Sequence, residues 1–118
     1  MIKSHKDLAV YQLSLDLIVD VYKLTHSFPK EELYGLTSQL KRSVVSVSSN
    51  IAEGAGRRGK AEFIRFLFIV MGSLSEADTQ LIIAQRLSFC VYSSEMVTKV
   101  YKIKRMLARL IDELKKEG

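Results

Sequence analysis

The chain has 118 residues, 47% of them apolar and 26% charged, with a formal charge of +5; this suits one globular domain over residues 1–118 and is too short for a cofactor domain joined to a substrate domain. The composition excludes a disordered chain. Six glycines and the single proline, Pro29, are too little punctuation for a many-stranded sheet, and the one cysteine, Cys90, excludes an intrachain disulfide.

Lys3 and Lys6 precede an apolar stretch, but Asp7, Gln12, Asp16 and Asp20 interrupt it, so no secretion signal is expected. The first helix is predicted from about Lys6 to His26. Leu8, Tyr11, Leu15, Ile18 and Tyr22 recur at helical spacing, and Val10, Leu13, Leu17, Val21 and Leu24 form a second stripe on a neighbouring face. Ser27-Phe28-Pro29 stops it, because proline disfavours helical geometry in the residue before it.

A second helix is predicted from Glu32 or Leu36 to Ala55, with Leu36, Leu40, Val44, Val47 and Ile51 as its apolar stripe. Glycines 54, 56 and 59 are expected to break it by taking backbone angles closed to other residues. A third helix follows from about Lys60 to Arg86. It is apolar almost all round between Phe63 and Leu74, which predicts burial on several sides. Its most apolar run, Phe66 to Met71, lies between Arg65 and Ser73 and falls short of the roughly 20 residues of a membrane span, so a soluble, cytoplasmic protein is expected. Cys90, between Phe89 and Val91, reads as a small buried hydrophobe. Ser93 or Ser94 can cap a fourth helix, on which Val97, Val100, Lys104, Leu107, Ile111 and Leu114 share a face. The predicted fold is all-α: an antiparallel up-down-up-down four-helix bundle with short connections.

Such a bundle needs one apolar stripe per helix, yet the first and third helices carry roughly two. Self-association into a closed ring of identical subunits is therefore expected, although a different partner would cover the surplus equally well. The residues assigned to that interface are Phe63, Phe66, Ile69 and Val70 of the third helix, Leu13 and Leu17 of the first, and Glu53.

Gly54-Ala55-Gly56-Arg57-Arg58-Gly59 fits the G-x-G-x-x-G pattern of a dinucleotide-binding turn, and Glu76 and Asp78 lie about 20 residues beyond it. The context does not fit. A Rossmann turn follows a buried strand, whereas Leu36 to Ile51 keeps the helical period, and both acids fall inside the third helix. No other chemistry is indicated. His5 and His26 stand about six turns apart, no Glu-x-x-His pair occurs, and Ser43 to Ser49 lacks a histidine and acid in a recognisable context. No cofactor and no metal are expected, and the chain is not read as an enzyme.

The positive charge is unevenly spread. Lys41, Arg42, Arg57, Arg58 and Lys60 face only Glu53 within residues 41–60, and residues 95–118 hold seven basic against four acidic groups. Gln39, Arg42, Ser46, Ser49, Asn50, Glu53 and Arg57 fall along one side of the second helix. They form either a wet face or polar seam, or an anion-contacting edge extended by Arg58 and Lys60. Nucleic acid would be held by phosphate neutralisation at Arg42, Arg57, Arg58 and Lys60, supplemented by Lys99, Lys102, Arg105 and Arg109 on the fourth helix. No sequence-reading motif occurs, and no stacking aromatics appear interleaved with the basic groups.

The run Phe28-Pro29, Glu32, Gly35-Leu36, Gln39-Leu40, Arg42, Ser46, Asn50-Ile51-Ala52-Glu53-Gly54, Phe63, Phe66-Leu67, Gly72-Ser73-Leu74 and Glu76 resembles the bacterial four-helix-bundle family of 23S rRNA-intervening sequence proteins. That family is itself similar to the accessory variability determinant proteins of diversity-generating retroelements. The resemblance spans Asp7-Leu8 to the start of the fourth helix. It implies a four-helix bundle assembled as a homopentamer, nucleic acid as a partner, and no catalysis. Ser48 departs from it where proline is frequent, and Ala77 where leucine is. The function expected is charge- and shape-driven binding of RNA or DNA by an oligomer. The alternative is a protein-interaction scaffold that docks a partner such as a reverse transcriptase.

Overall fold

The computed structural model describes residues 4–117, so Lys3 lies outside the described residues. Among these, four α-helices and no strand occur: α1 Ala9–Leu24, α2 Leu36–Ala55, α3 Lys60–Arg86 and α4 Ser94–Lys116. Each boundary has a local cause. Phe28 and Pro29 are extended, which ends the chain's run from α1 through a short 3-10 turn at Thr25–Ser27. Another 3-10 turn at Lys30–Glu32 follows, and the Glu32 carboxylate then accepts from the Leu36 amide at 3.1 Å. That anion sits against the free N–H groups at the start of α2. Ser93 caps α4 by accepting from the Met96 amide at 3.2 Å.

The glycines act differently from the expectation. Gly54 lies inside α2, buried, and a Cβ built on it would come within 2.6 Å of the Phe66 Cβ. It lets α2 and α3 approach; it does not end a helix. Gly56 keeps right-handed helical angles (φ −84°), and only Gly59, at φ 89°, uses the left-handed freedom that turns the chain into α3.

α2 and α3 form the most extensively packed pair, while α1 and α4 each pack on their neighbours to close the bundle. α2 and α4 therefore stand at diagonal corners. The antiparallel register of α2 and α3 is marked at three depths: Gly54 against Phe66, Ser46 Oγ 3.0 Å from Ser73 Oγ, and the Ser43 hydroxyl donating to Gln80 Oε1 at 2.9 Å. Ser14 and Ser48 meet at 2.7 Å between α1 and α2. Among the described residues no buried side-chain nitrogen or oxygen lacks a hydrogen-bond partner. Of these serines only Ser46 was expected on a wet face or polar seam; small hydroxyls fit where two backbones lie close, and each finds a partner there.

The core consists of Val10, Leu17 and Val21 of α1; Leu40, Val44, Val47 and Ile51 of α2; Phe63, Phe66, Leu67, Val70, Leu74, Ala77, Leu81 and Ala84 of α3; and Met96, Val100, Ile103, Leu107, Ile111 and Leu114 of α4. The two stripes of α1 are thus unequal: Val10, Leu17 and Val21 are deep, Leu8, Tyr11, Leu15 and Ile18 half-buried, and Tyr22 exposed. Val97, expected on the inner face of α4, is exposed, and Met96 and Ile103 take its place. Cys90 is half-buried. The molecule measures 48 × 26 × 19 Å, and its long axis matches a 27-residue α3, which rises about 40 Å. By length and composition α3 is apolar enough to cross a membrane, beyond what its six-residue apolar run indicates. Nine of its residues, including Gln80, are buried in the bundle.

Candidate nucleic-acid interface

The eight cations read from the sequence fall into three groups. Arg42 stands exposed on α2, diagonally across from α4. Arg57, Arg58 and Lys60 cluster at the α2–α3 turn, at one end of the bundle. Lys99, Lys102, Arg105 and Arg109 run along α4. The fold does not merge them into one surface.

Their partners separate them further. Arg57 Nη2 pairs with Glu53 Oε2 at 2.8 Å and its guanidinium also lies 5.2 Å from the centre of the Phe66 ring. The cleft that Arg57 and Lys60 line, about 620 Å³, is shared with Glu113 and Glu117 near the end of α4. A phosphate entering there meets both signs of charge. Lys99 is bound to Asp20 of α1. Arg65 is held by Glu62 at 3.1 Å; that hydrogen bond lowers the Glu62 pKa from its ordinary value and raises that of Arg65.

Lys102, Arg105 and Arg109 differ from all of these. Among the described residues none of the three forms an ion pair, and they line a groove of about 260 Å³ with Thr98, Tyr101 and Met106, free of carboxylates. Successive turns of α4 create it: Thr98, Tyr101, Lys102, Arg105 and Arg109 project on one side because Val100, Ile103 and Leu107 are pinned in the core. The sequence reading missed Tyr101. It is 62% exposed, and the Arg105 guanidinium lies 6.0 Å from its ring centre, so an aromatic does interleave with the cations. Its signal was present as i and i+4 spacing from Tyr101 to Arg105 and on to Arg109.

The residues assigned to self-association also divide. Leu17 and Val70 are fully buried, and Phe63 and Phe66 nearly so, within one subunit. Their side chains pack inside the subunit, because helical geometry turns only part of an apolar run outward. Leu13 is half-buried, Glu53 is exposed beside Arg57, and Ile69 is 40% exposed. The outward apolar surface of α3 is instead Phe68, Ile69, Ile82 and Ile83. Glu76 is exposed on the same side. Elsewhere, His5 and His26 lie at opposite ends of α1, and His5 packs edge-on against Tyr11 at 4.8 Å.

The fold and this surface define an all-helical bundle with a cationic outer helix and, among the described residues, no group of three or more histidines, cysteines or acids placed to hold a metal ion. The chain matches the 23S rRNA-intervening sequence protein family over residues 6–110 and belongs to that family. It is similar in fold to the crystal structure of a protein of unknown function from the S23 ribosomal protein family of Bacteroides thetaiotaomicron VPI-5482. The TM-score is 0.80 and the identity 24%, over 91% of this chain and 98% of that one. No curated protein matches it.

Proposed function

We propose that the protein is a non-enzymatic, self-associating bundle of the cytoplasm that binds RNA or DNA through charge and shape. The assembly is a closed ring, of five copies by the family resemblance. The observation that carries the reading is the carboxylate-free groove of α4, where Lys102, Arg105 and Arg109 stand without ion-pair partners among the described residues. Cations placed on phosphates release condensed counterions, so affinity falls with salt in proportion to their number. Repetition around a ring adds the modest contacts of each copy into useful avidity.

The test is a fluorescence-anisotropy titration of labelled nucleic acid across a salt series. Binding should weaken with salt, and replacing Lys102, Arg105 and Arg109 by Glu should abolish it at physiological salt. Each single neutralisation should reduce the log–log slope by about 0.7–0.9. Charge reversal at Arg57 and Arg58, already offset by Glu53, Glu113 and Glu117, should do less. Absence of binding at low salt overturns the reading. The exposed Phe68, Ile69, Ile82 and Ile83 favour as second reading a scaffold that docks a protein such as a reverse transcriptase; its binding would survive the α4 reversal.

A further inference from the structure

We propose that the α4 groove takes unpaired strands: Tyr101 is a platform on which one base of single-stranded nucleic acid stacks, while neighbouring phosphates lie on Lys102, Arg105 and Arg109. The inference rests on the nucleic-acid reading above and adds to it the class of strand.

Three observations converge. Tyr101 keeps 62% of its surface exposed and borders a groove whose charges are all positive. Tyr34 is more exposed, at 93%, but follows Glu31 and Glu32 in the turn before α2, where phosphate would be repelled. Tyr22 also borders a carboxylate-free groove, with Lys23 and His26, but it is 41% exposed against 62% for Tyr101, and the Lys41 ammonium, 4.7 Å over its ring, already occupies one face. Arg105, at 6.0 Å from the ring centre, sits at the outer limit of a cation–π contact and can turn from ring to phosphate at little cost.

The dimensions suit a short strand. From Thr98 to Arg109 the helix rises about 16 Å, the length of roughly four to five stacked nucleotides. Asp112 and Glu113 follow Arg109 and end the cationic track there. In a duplex the base faces are stacked against one another and closed to Tyr101; only an unpaired base offers its π-face, which is why stacking on aromatics beside cations marks single-strand binding.

The chain has no tryptophan, so tyrosine emission reports directly. The experiment titrates the protein with oligo(dT), oligo(U) and a duplex, each of about 12 nucleotides, at low salt, following labelled-strand anisotropy and tyrosine quenching. Both single strands should bind more tightly than the duplex and quench emission. Tyr101→Ala should weaken single-strand binding about 5- to 150-fold, with the duplex affinity and the salt slope unchanged. Tyr101→Phe should retain the affinity and lose most of the quench. A higher affinity for oligo(U) assigns the ligand as RNA and for oligo(dT) as DNA, and both support the platform. If Tyr101→Ala binds single strands within twofold of the unaltered protein, or if Tyr101→Phe fails as badly as Tyr101→Ala, the platform is overturned while charge-driven binding stands. If neither strand nor duplex binds, both readings fall together.

Discussion

Tyr92 ties the loop after α3 back onto that helix. Its hydroxyl donates to Asp78 Oδ1 at 2.7 Å, and its amide donates to Gln85 Oε1 at 2.7 Å. Burial first, then the hydrogen bond to Asp78 and repulsion by the Asp78 charge, push the phenol far above its ordinary pKa of 10. A group whose pKa is raised by folding binds more protons in the native state, so its contribution is complete below the unfolded value and is lost as pH rises beyond it. Stability should therefore fall above about pH 10, and Tyr92→Phe should flatten that alkaline loss. At neutral pH the same variant should cost about 1.5–3 kcal/mol, the worth of a hydrogen bond to a charged acceptor. Urea unfolding at pH 7 and pH 10.5 checks both. Ser88 nearby closes α3 at φ 63°, with its amide bonded to the Gln85 carbonyl at 2.9 Å and the Phe89 amide to the Ala84 carbonyl at 2.9 Å. This is a Schellman end with serine where glycine fits without strain. Ser88→Gly should raise stability by about 0.5–1 kcal/mol in the same assay.

At the scale of helices, the contact between α2 and α3 depends on one missing side chain. Gly54→Ala places a methyl 2.6 Å from the Phe66 Cβ and 3.1 Å from the Phe63 ring. Backbone must move, and overpacking of this kind costs about 1–3 kcal/mol; thermal unfolding should show a lowered midpoint with the helical signal retained. The spans of α2 and α3 and the Ser93 cap were legible in the sequence, because long amphipathic periods, a glycine turn and a capping serine are local signals. The depth of each stripe was not. Nothing local tells Val10, Leu17 and Val21 from Leu8, Leu15 and Ile18, since both sets keep the helical period; the choice is made by where α2 and α4 stand. Gly54 looked like a terminator because its role, a close crossing with Phe66, belongs to a partner 12 positions away. The basic residues of the candidate site were legible by charge alone. Their separation into three groups, the pairing of Lys99 with Asp20 and the exposure of Tyr101 come from the arrangement of four helices.

For the whole molecule, the question is whether copies share surface, and α3 frames it. Phe68, Ile69, Ile82 and Ile83 face outward, and Gly72, exposed mid-helix between those pairs, would meet nothing within 4 Å if given a Cβ. A glycine inside a helix costs about 0.5–1 kcal/mol relative to alanine, and nothing within one subunit offsets that cost. A second backbone passing close would. The +5 charge of each chain opposes assembly, so apolar contact must outweigh repulsion that salt weakens. Phe66→Asp puts a charge into the subunit's own core and should unfold the chain whatever its assembly, so it cannot decide the matter. Ile69→Asp can, because Ile69 is 40% exposed and a lone folded subunit should lose only about 1–2 kcal/mol, the apolar burial it forgoes. In light scattering at moderate salt the unaltered protein should have several times the subunit mass, and Ile69→Asp should fall to one subunit with its circular dichroism unchanged. Gly72→Ala should loosen the assembly in parallel while leaving each helix at least as stable. A subunit-sized mass for the unaltered protein, together with a simple gain in stability for Gly72→Ala, would mean that this face of α3 meets only water.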